Sequence, residues 1–186
     1  MLTDCPKFDR FVADMRAIMA AYGSDESGLI AAGRARLAEL VAVDDWLPDE
    51  FARPASAGFK QYILFRQSGV DFSVISVVWA RGQKAIAHDH TMWGMFGQLR
   101  GAEATRLYDA PVAGQEMTVK AAATLRPGDT AFVSPSTCDI HDVENVNEGV
   151  SVSIHVYGGD LEAVLDRRHR YDTSNGQAIP FITQYH

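Results

Sequence analysis

The sequence predicts a mainly β fold, a sandwich or barrel, with two N-terminal helices packed on its outside. Two observations carry this. In the first fifty residues apolar positions recur at three- and four-residue spacing, which gives each helix one apolar face. From about Phe59 onward, short β-branched and aromatic runs alternate with turn residues, the spacing of an all-β sandwich or barrel.

Taken in order, Phe8, Phe11, Val12, Met15, Ile18 and Met19 form the face of the first helix. Gly23 ends it, and Ser24 or Asp25 can cap the second. The second helix carries Leu29, Ile30, Ala32, Leu37, Leu40 and Val41 before a break at Pro48. Strands are expected over 61–65, 72–79, 95–99, 104–108, 117–125, 130–133 and 150–157. Turns are expected at Gly69, Arg81-Gly82, Ala113-Gly114, Pro127-Gly128 and Glu148-Gly149. No repeat or long linker divides the 186 residues, so one domain is expected over 1–186. Its helices would occupy 1–50, its β barrel 58–172 and a C-terminal tail 173–186.

Charge and cysteine content exclude several functions. The formal net charge of −7 is a poor match for a nucleic-acid backbone, which is held by clustered cations. No apolar run approaches the roughly 20 residues that cross a bilayer. The start lacks the basic flank and apolar stretch of a secretory signal. Cys5 and Cys138 cannot form a disulfide framework. The expected setting is a reducing compartment, the cytoplasm, and the sequence leaves monomer and homo-oligomer open.

The histidines carry the chemistry. His88 and His90 lie two apart at the end of an expected strand, where alternate side chains share a face and can converge. His141 follows a separate expected strand, and two ligands from one strand with one from another suit a metal. By itself, a His-X-His pair also fits a surface or core position. In the run Ser151–Tyr157, the residues Ser153, His155 and Tyr157 share one face, while Val152, Ile154 and Val156 share the other. Such a polar stripe must be hydrogen-bonded to be tolerated inside a barrel, and Ser-His-Tyr can form a donor–acceptor chain. Taken alone it also fits an ordinary half-buried strand. Trp79, Trp93, Phe96 and Tyr108 read as core or pocket wall, Cys138 as a small buried hydrophobe, and His169 and His186 as surface.

The spacing Gly82, five residues, His88-Asp-His90, three residues, Gly94, six residues, Gly101 resembles the first cupin motif. Gly94 stands where many cupins carry a glutamate ligand. Gly128, Pro135 and His141-Asp-Val-Glu-Asn145 resemble the second cupin motif. Together with the missing carboxylate and the Ser-X-His-X-Tyr run, this pattern resembles the thiol dioxygenases of the cysteine dioxygenase family over roughly residues 58–172. The resemblance implies a cupin double-stranded β-helix barrel that holds one Fe(II) through His88, His90 and His141. It also implies addition of both atoms of O₂ to the sulfur of a small thiol carboxylate, giving a sulfinic acid. Tyr157, His155 and Ser153 would act as the catalytic relay, with Asp89 and Asn145 as candidates for orienting the ligand rings.

Within that family, mammalian-type members carry at the Gly94 position a cysteine that cross-links to the tyrosine matched by Tyr157. Gly94 offers no sulfur, which resembles the bacterial 3-mercaptopropionate dioxygenases, as do Trp93-Gly94 and Leu99-Arg100-Gly101-Ala102-Glu103. Two arginines compete for the substrate carboxylate. Arg66 matches the early-barrel position of the cysteine enzymes, whereas Arg167 and Arg168 lie beyond the tyrosine strand, and Arg168 is favoured. The same arginine cluster also fits a solvated basic tail. 3-Mercaptopropionate is therefore the favoured substrate, with L-cysteine as the second choice. Two further cupin types fit the three histidines: an enzyme that uses zinc, manganese or nickel, and a ligand sensor without catalysis. The Ser-His-Tyr stripe argues against the sensor.

Overall fold

A computed structural model describes residues 1–66, 72–160, 167–182 and 185–186 of the chain. Helix α1 (Pro6–Tyr22) buries Phe8, Phe11, Val12 and Met15 along the expected face. It closes at Gly23, whose positive φ of 53° favours glycine and whose N–H bonds back to Met19. Asp25 caps α2 (Glu26–Val41) by accepting a hydrogen bond from the Gly28 N–H at 3.0 Å. The second helix ends at Val41, before the expected break at Pro48, and a 3₁₀ turn follows at Asp49–Ala52. None of the described helices is long and apolar enough to cross a membrane.

Eleven described strands follow: β1 (Lys60–Phe65), β2 (Ser73–Trp79), β3 (Lys84–His88), β4 (Gly94–Arg100), β5 (Glu103–Tyr108), β6 (Val119–Leu125), β7 (Thr130–Val133), β8 (Ile140–Asn145), β9 (Ser151–Tyr157), β10 (His169–Asp172) and β11 (Gln177–Pro180). The expected turn at Gly69 lies outside the described residues. One antiparallel sheet has the order β1-β2-β9-β4-β7, and the other β11-β10-β3-β8-β5-β6. From β2 to β5, and again from β6 to β10, the chain changes sheet at every step. This winding between two sheets is the cupin double-stranded β-helix.

The alternation in β9 decides what faces where. Val152, Ile154 and Val156 join Leu37, Val41 and Met95 in a core between the first sheet and the helices. Tyr157 belongs instead to a second apolar cluster, with Ile75, Val77, Trp79, Phe96 and Val143. The period of two thus separates a dry outer layer from a polar stripe turned the other way.

Helix α2 can approach β4 because Gly97 has no side chain. A Cβ there would lie 2.8 Å from Leu37 Cγ and 3.0 Å from Val41 Cγ1. Gly97→Ala is expected to destabilise the protein by about 1–3 kcal/mol, the usual cost of overpacking a core. Denaturant unfolding would show this as a lower midpoint with an unchanged slope.

Candidate metal centre

His88 and His141 meet through strand register. β3 and β8 pair antiparallel with His88 directly opposite His141, so both rings stand on one face of the second sheet. Two expectations change here. His141 lies within β8, not after a strand, and His90 lies past the end of β3. The Asp139 carboxylate accepts the backbone N–H groups of His90 (3.0 Å) and Thr91 (2.9 Å), which bends the chain out of the ladder. Thr91 takes a positive φ of 60° at that bend. The ring of His90 still comes within 4.9 Å of His88 and 4.8 Å of His141, centroid to centroid.

One ligand atom from each of the three rings lies within 4.8 Å of the others, and all three residues are buried. Their Nδ1 atoms are occupied. His88 Nδ1–H donates to the Ile86 carbonyl (2.8 Å), and His90 Nδ1–H faces the Asp139 carbonyl and carboxylate (both 3.2 Å). Thr105 Oγ1 gives its proton to the Asp142 carbonyl (2.8 Å) and so faces His141 Nδ1 as an acceptor (3.4 Å). These bonds leave Nε2 as the ligating atom of each ring. Burial holds His88 and His90 well below the usual imidazole range, with the neighbouring His141 adding to it. Burial, followed by the Arg168 charge, brings His141 down to about 4. All three rings are therefore neutral near pH 7, the form that binds metals. Among the described residues His90 Nε2 finds no hydrogen-bond partner, a cost of burial that a metal ion would remove. The donor set fits a divalent transition metal with open positions.

The polar stripe of β9 lies beside these rings. Ser153 Oγ is 2.9 Å from His155 Nε2, and His155 Nδ1 is 2.9 Å from the Tyr157 hydroxyl. The Tyr157 ring stacks on His90 with centroids 5.5 Å apart, and Phe96 packs against both His141 and His155. Burial keeps the Tyr157 phenol protonated and lowers His155 out of its usual range. A narrow cavity is lined by His88, His141, His155, Tyr157, Gln61 and Arg168. Arg168 is only 4 % exposed, although it follows a stretch of charged residues. Its Nε–H donates to the Asp89 carbonyl (2.9 Å), its Nη1 lies 3.5 Å from the Tyr185 hydroxyl, and its guanidinium sits over Phe181.

No protein-family model matches the chain. Rat cysteine dioxygenase type 1 is 30 % identical over 137 residues, which cover 70 % of this chain and 66 % of the rat protein. The human protein of the same name is 27 % identical over 182 residues, covering 94 % and 76 %. Both matches amount to weak sequence similarity to cysteine dioxygenase type 1. The chain spans just under two thirds of the length of the rat relative. A Klebsiella pneumoniae protein with a double-stranded β-helix domain superposes with a TM-score of 0.47 at 17 % identity, covering 59 % of this chain and 84 % of that one.

Gly94 lies directly opposite Tyr157 in the β4–β9 ladder. A Cβ at Gly94 would sit 2.9 Å from the Tyr157 ring, so the glycine lets the ring lie flat against its neighbouring strand. Arg66 is placed elsewhere. It pairs with Asp160 at 3.2 Å and lines an outer cleft with Met1, Ile63 and His186, while Arg167 is exposed. Asp89 and Asn145 do not orient the ligand rings. The Asp89 carboxylate accepts the His169 N–H (2.8 Å) and the Tyr171 hydroxyl (2.7 Å), while the Asn145 amide holds the Trp79, Ala80 and Gly149 carbonyls. Asp139 and Thr105 do the orienting, and sequence reasoning missed both. Cys138 Sγ–H faces the Tyr108 carbonyl at 3.2 Å and takes no part in the imidazole cluster.

Proposed function

We propose that the chain is a mononuclear Fe(II) thiol dioxygenase whose preferred substrate is 3-mercaptopropionate. One observation carries this reading: His88 and His141, two of three converging neutral imidazoles, line a single cavity with the buried Arg168 and with His155 and Tyr157 of the Ser153–His155–Tyr157 chain. Three neutral ligands leave a bound divalent iron its full charge, which favours the thiolate form of a substrate and supplies the O₂ chemistry that makes a sulfinic acid. His88, His90 and His141 would hold that ion. Arg168 would bind the far carboxylate through a charge-assisted contact, its guanidinium held in place by the Nε–H bond to the Asp89 carbonyl. Tyr157 would hydrogen-bond the reactants, with His155 and Ser153 setting its proton.

L-Cysteine is the second reading, since the named relatives are cysteine dioxygenases. Among the described residues, the cavity wall contains no Asp or Glu to receive its ammonium group. A buried, unpaired ammonium is costly, so the wall favours a thiol acid without one. Oxygen uptake and sulfinate formation by the iron-loaded protein should be compared across 3-mercaptopropionate, L-cysteine and mercaptosuccinate. A kcat/KM for L-cysteine above that for 3-mercaptopropionate would reverse the substrate assignment. Full activity with zinc and no O₂ consumption would remove the dioxygenase reading.

Tyr157→Phe is expected to keep its iron content and to lower kcat roughly 10- to 100-fold, the loss of one hydrogen bond in a charged setting. Product yield per O₂ should fall with it. Normal turnover and normal coupling would leave the β9 stripe with a purely structural role.

A further inference from the structure

The β10–β11 hairpin brings an aromatic side chain against the metal centre from outside. His169 lies opposite Pro180 in that ladder, so the next residues along, Arg168 and Phe181, also meet, and the Phe181 N–H bonds to the Arg168 carbonyl at 2.9 Å. On its other side β10 pairs with β3, where Arg170 lies opposite His88. Three strands thus set Phe181 against a candidate metal ligand and against the buried arginine. Its ring lies 5.2 Å from the His88 ring, centroid to centroid, with the planes inclined at 58°. The Arg168 guanidinium carbon sits over the same ring, 5.3 Å from its centre.

His88 and Arg168 both line the narrow cavity, and Phe181 stands behind them. Each is held at one atom. His88 Nδ1–H donates to the Ile86 carbonyl, and Arg168 Nε–H donates to the Asp89 carbonyl. Beyond Nε, the guanidinium meets the Phe181 face and, at 3.5 Å, the Tyr185 hydroxyl. A cation is drawn to an aromatic face, more strongly where water is excluded, and Arg168 is buried. A phenyl ring is rigid and turns about two bonds only, so it holds a separation that a flexible side chain would let vary.

We propose that Phe181 is a specificity-determining residue: in contact with both His88 and Arg168, it fixes the span from metal to guanidinium and so selects the chain length of the thiol acid. The inference rests on the reading above, in which sulfur binds at the metal and the carboxylate at Arg168. A substrate anchored at both ends cannot satisfy both anchors when it is one methylene too short or too long. Without the ring, the guanidinium has room to retreat from the metal, and a longer acid gains where the three-carbon acid loses. Phe181 acts through its two neighbours and is a positioning residue, outside the reacting atoms.

The test reads binding apart from turnover. Cobalt(II)-substituted protein, whose thiolate-to-metal absorption reports the bound sulfur, is titrated without O₂ against mercaptoacetate, 3-mercaptopropionate, 4-mercaptobutyrate and ethanethiol. Wild type is expected to favour 3-mercaptopropionate over either neighbouring acid by roughly 10- to 200-fold, the usual worth of one methylene in a fitted site. In Phe181→Ala the Kd ratio of the two longer acids should shift at least about tenfold toward 4-mercaptobutyrate. Phe181→Leu should shift it in the same direction, and serves if the alanine variant fails to fold. Phe181→Tyr keeps the ring and should keep the wild-type ratio. Ethanethiol has no carboxylate to place, so its Kd should move less than those of the acids. In the iron-loaded variants the same shift should appear in KM rather than in kcat. A common loss of affinity for all four thiols, with the acid ratios unchanged, would overturn the proposal, as would a wild type with no length preference. If wild type binds ethanethiol as tightly as 3-mercaptopropionate, or binds no thiol, the carboxylate-anchored thiol reading itself has failed and the span falls with it.

Discussion

Replacing His141 with alanine is expected to remove metal and activity together. His141 faces His88 across the β3–β8 ladder, and its ring meets both other imidazoles, so its loss leaves two ligands where three converge. Partners that merely orient a ligand are each worth about 10- to 100-fold in affinity or activity. A direct ligand should cost more, roughly a thousandfold or greater. The alanine protein should purify with little iron by metal analysis and show no oxygen uptake above background. Its fold should persist, because Val143 and Phe96 close much of the surrounding cluster. Full iron content and turnover in His141→Ala would place the centre elsewhere. Acid should mimic the substitution. With His141 protonating at about 4, iron should be retained through mildly acid pH and lost only as pH falls through that value and below, where ring protonation competes with the metal.

Much of this site was legible because short-range periodicity encodes it. The period of two in β9 sorts Ser153, His155 and Tyr157 from Val152, Ile154 and Val156 without any tertiary information. The helix faces and the Gly23 and Asp25 signals are local in the same sense. What escaped depends on pairing between distant segments. His90 converges because Asp139, 49 residues away, pulls its backbone out of the strand, and no local pattern carries that. The short strands β10 and β11 have too few apolar residues to announce themselves, yet they pair with each other and bring Arg168 to the cavity. Glu103 enters the sequence reading only as the end of the Leu99–Glu103 run, because its burial is set by β4, β8 and β9 together. Arg66 and Arg168 illustrate the same limit. Both sit at positions a linear alignment can justify, and only the closure of the two sheets separates them.

That separation gives the largest expected effect on substrate binding. Arg168→Ala should raise KM for 3-mercaptopropionate roughly 10- to 100-fold or more, since a charge-assisted hydrogen bond is worth about 1.5–3 kcal/mol. Arg168→Lys should recover only part of this, because an ammonium offers a point charge where the guanidinium offers a fork. The Arg168 Nε–H also holds the Asp89 carbonyl, so some of the loss in the alanine variant comes from a loosened β3–β10 contact. A thiol without a carboxylate, such as ethanethiol, separates the two contributions. Its turnover should be low in wild type and change little in Arg168→Ala if the arginine serves the carboxylate, and should fall further if the arginine only braces the fold. Arg66→Ala removes a surface pair with Asp160, in which the arginine side chain is 33 % exposed. Exposed pairs contribute about 0–1 kcal/mol, so KM should move by no more than roughly fivefold. The reverse ranking of the two arginines, with L-cysteine as the better substrate, would assign carboxylate recognition to the early-barrel position. The chain would then act as a cysteine dioxygenase despite Gly94.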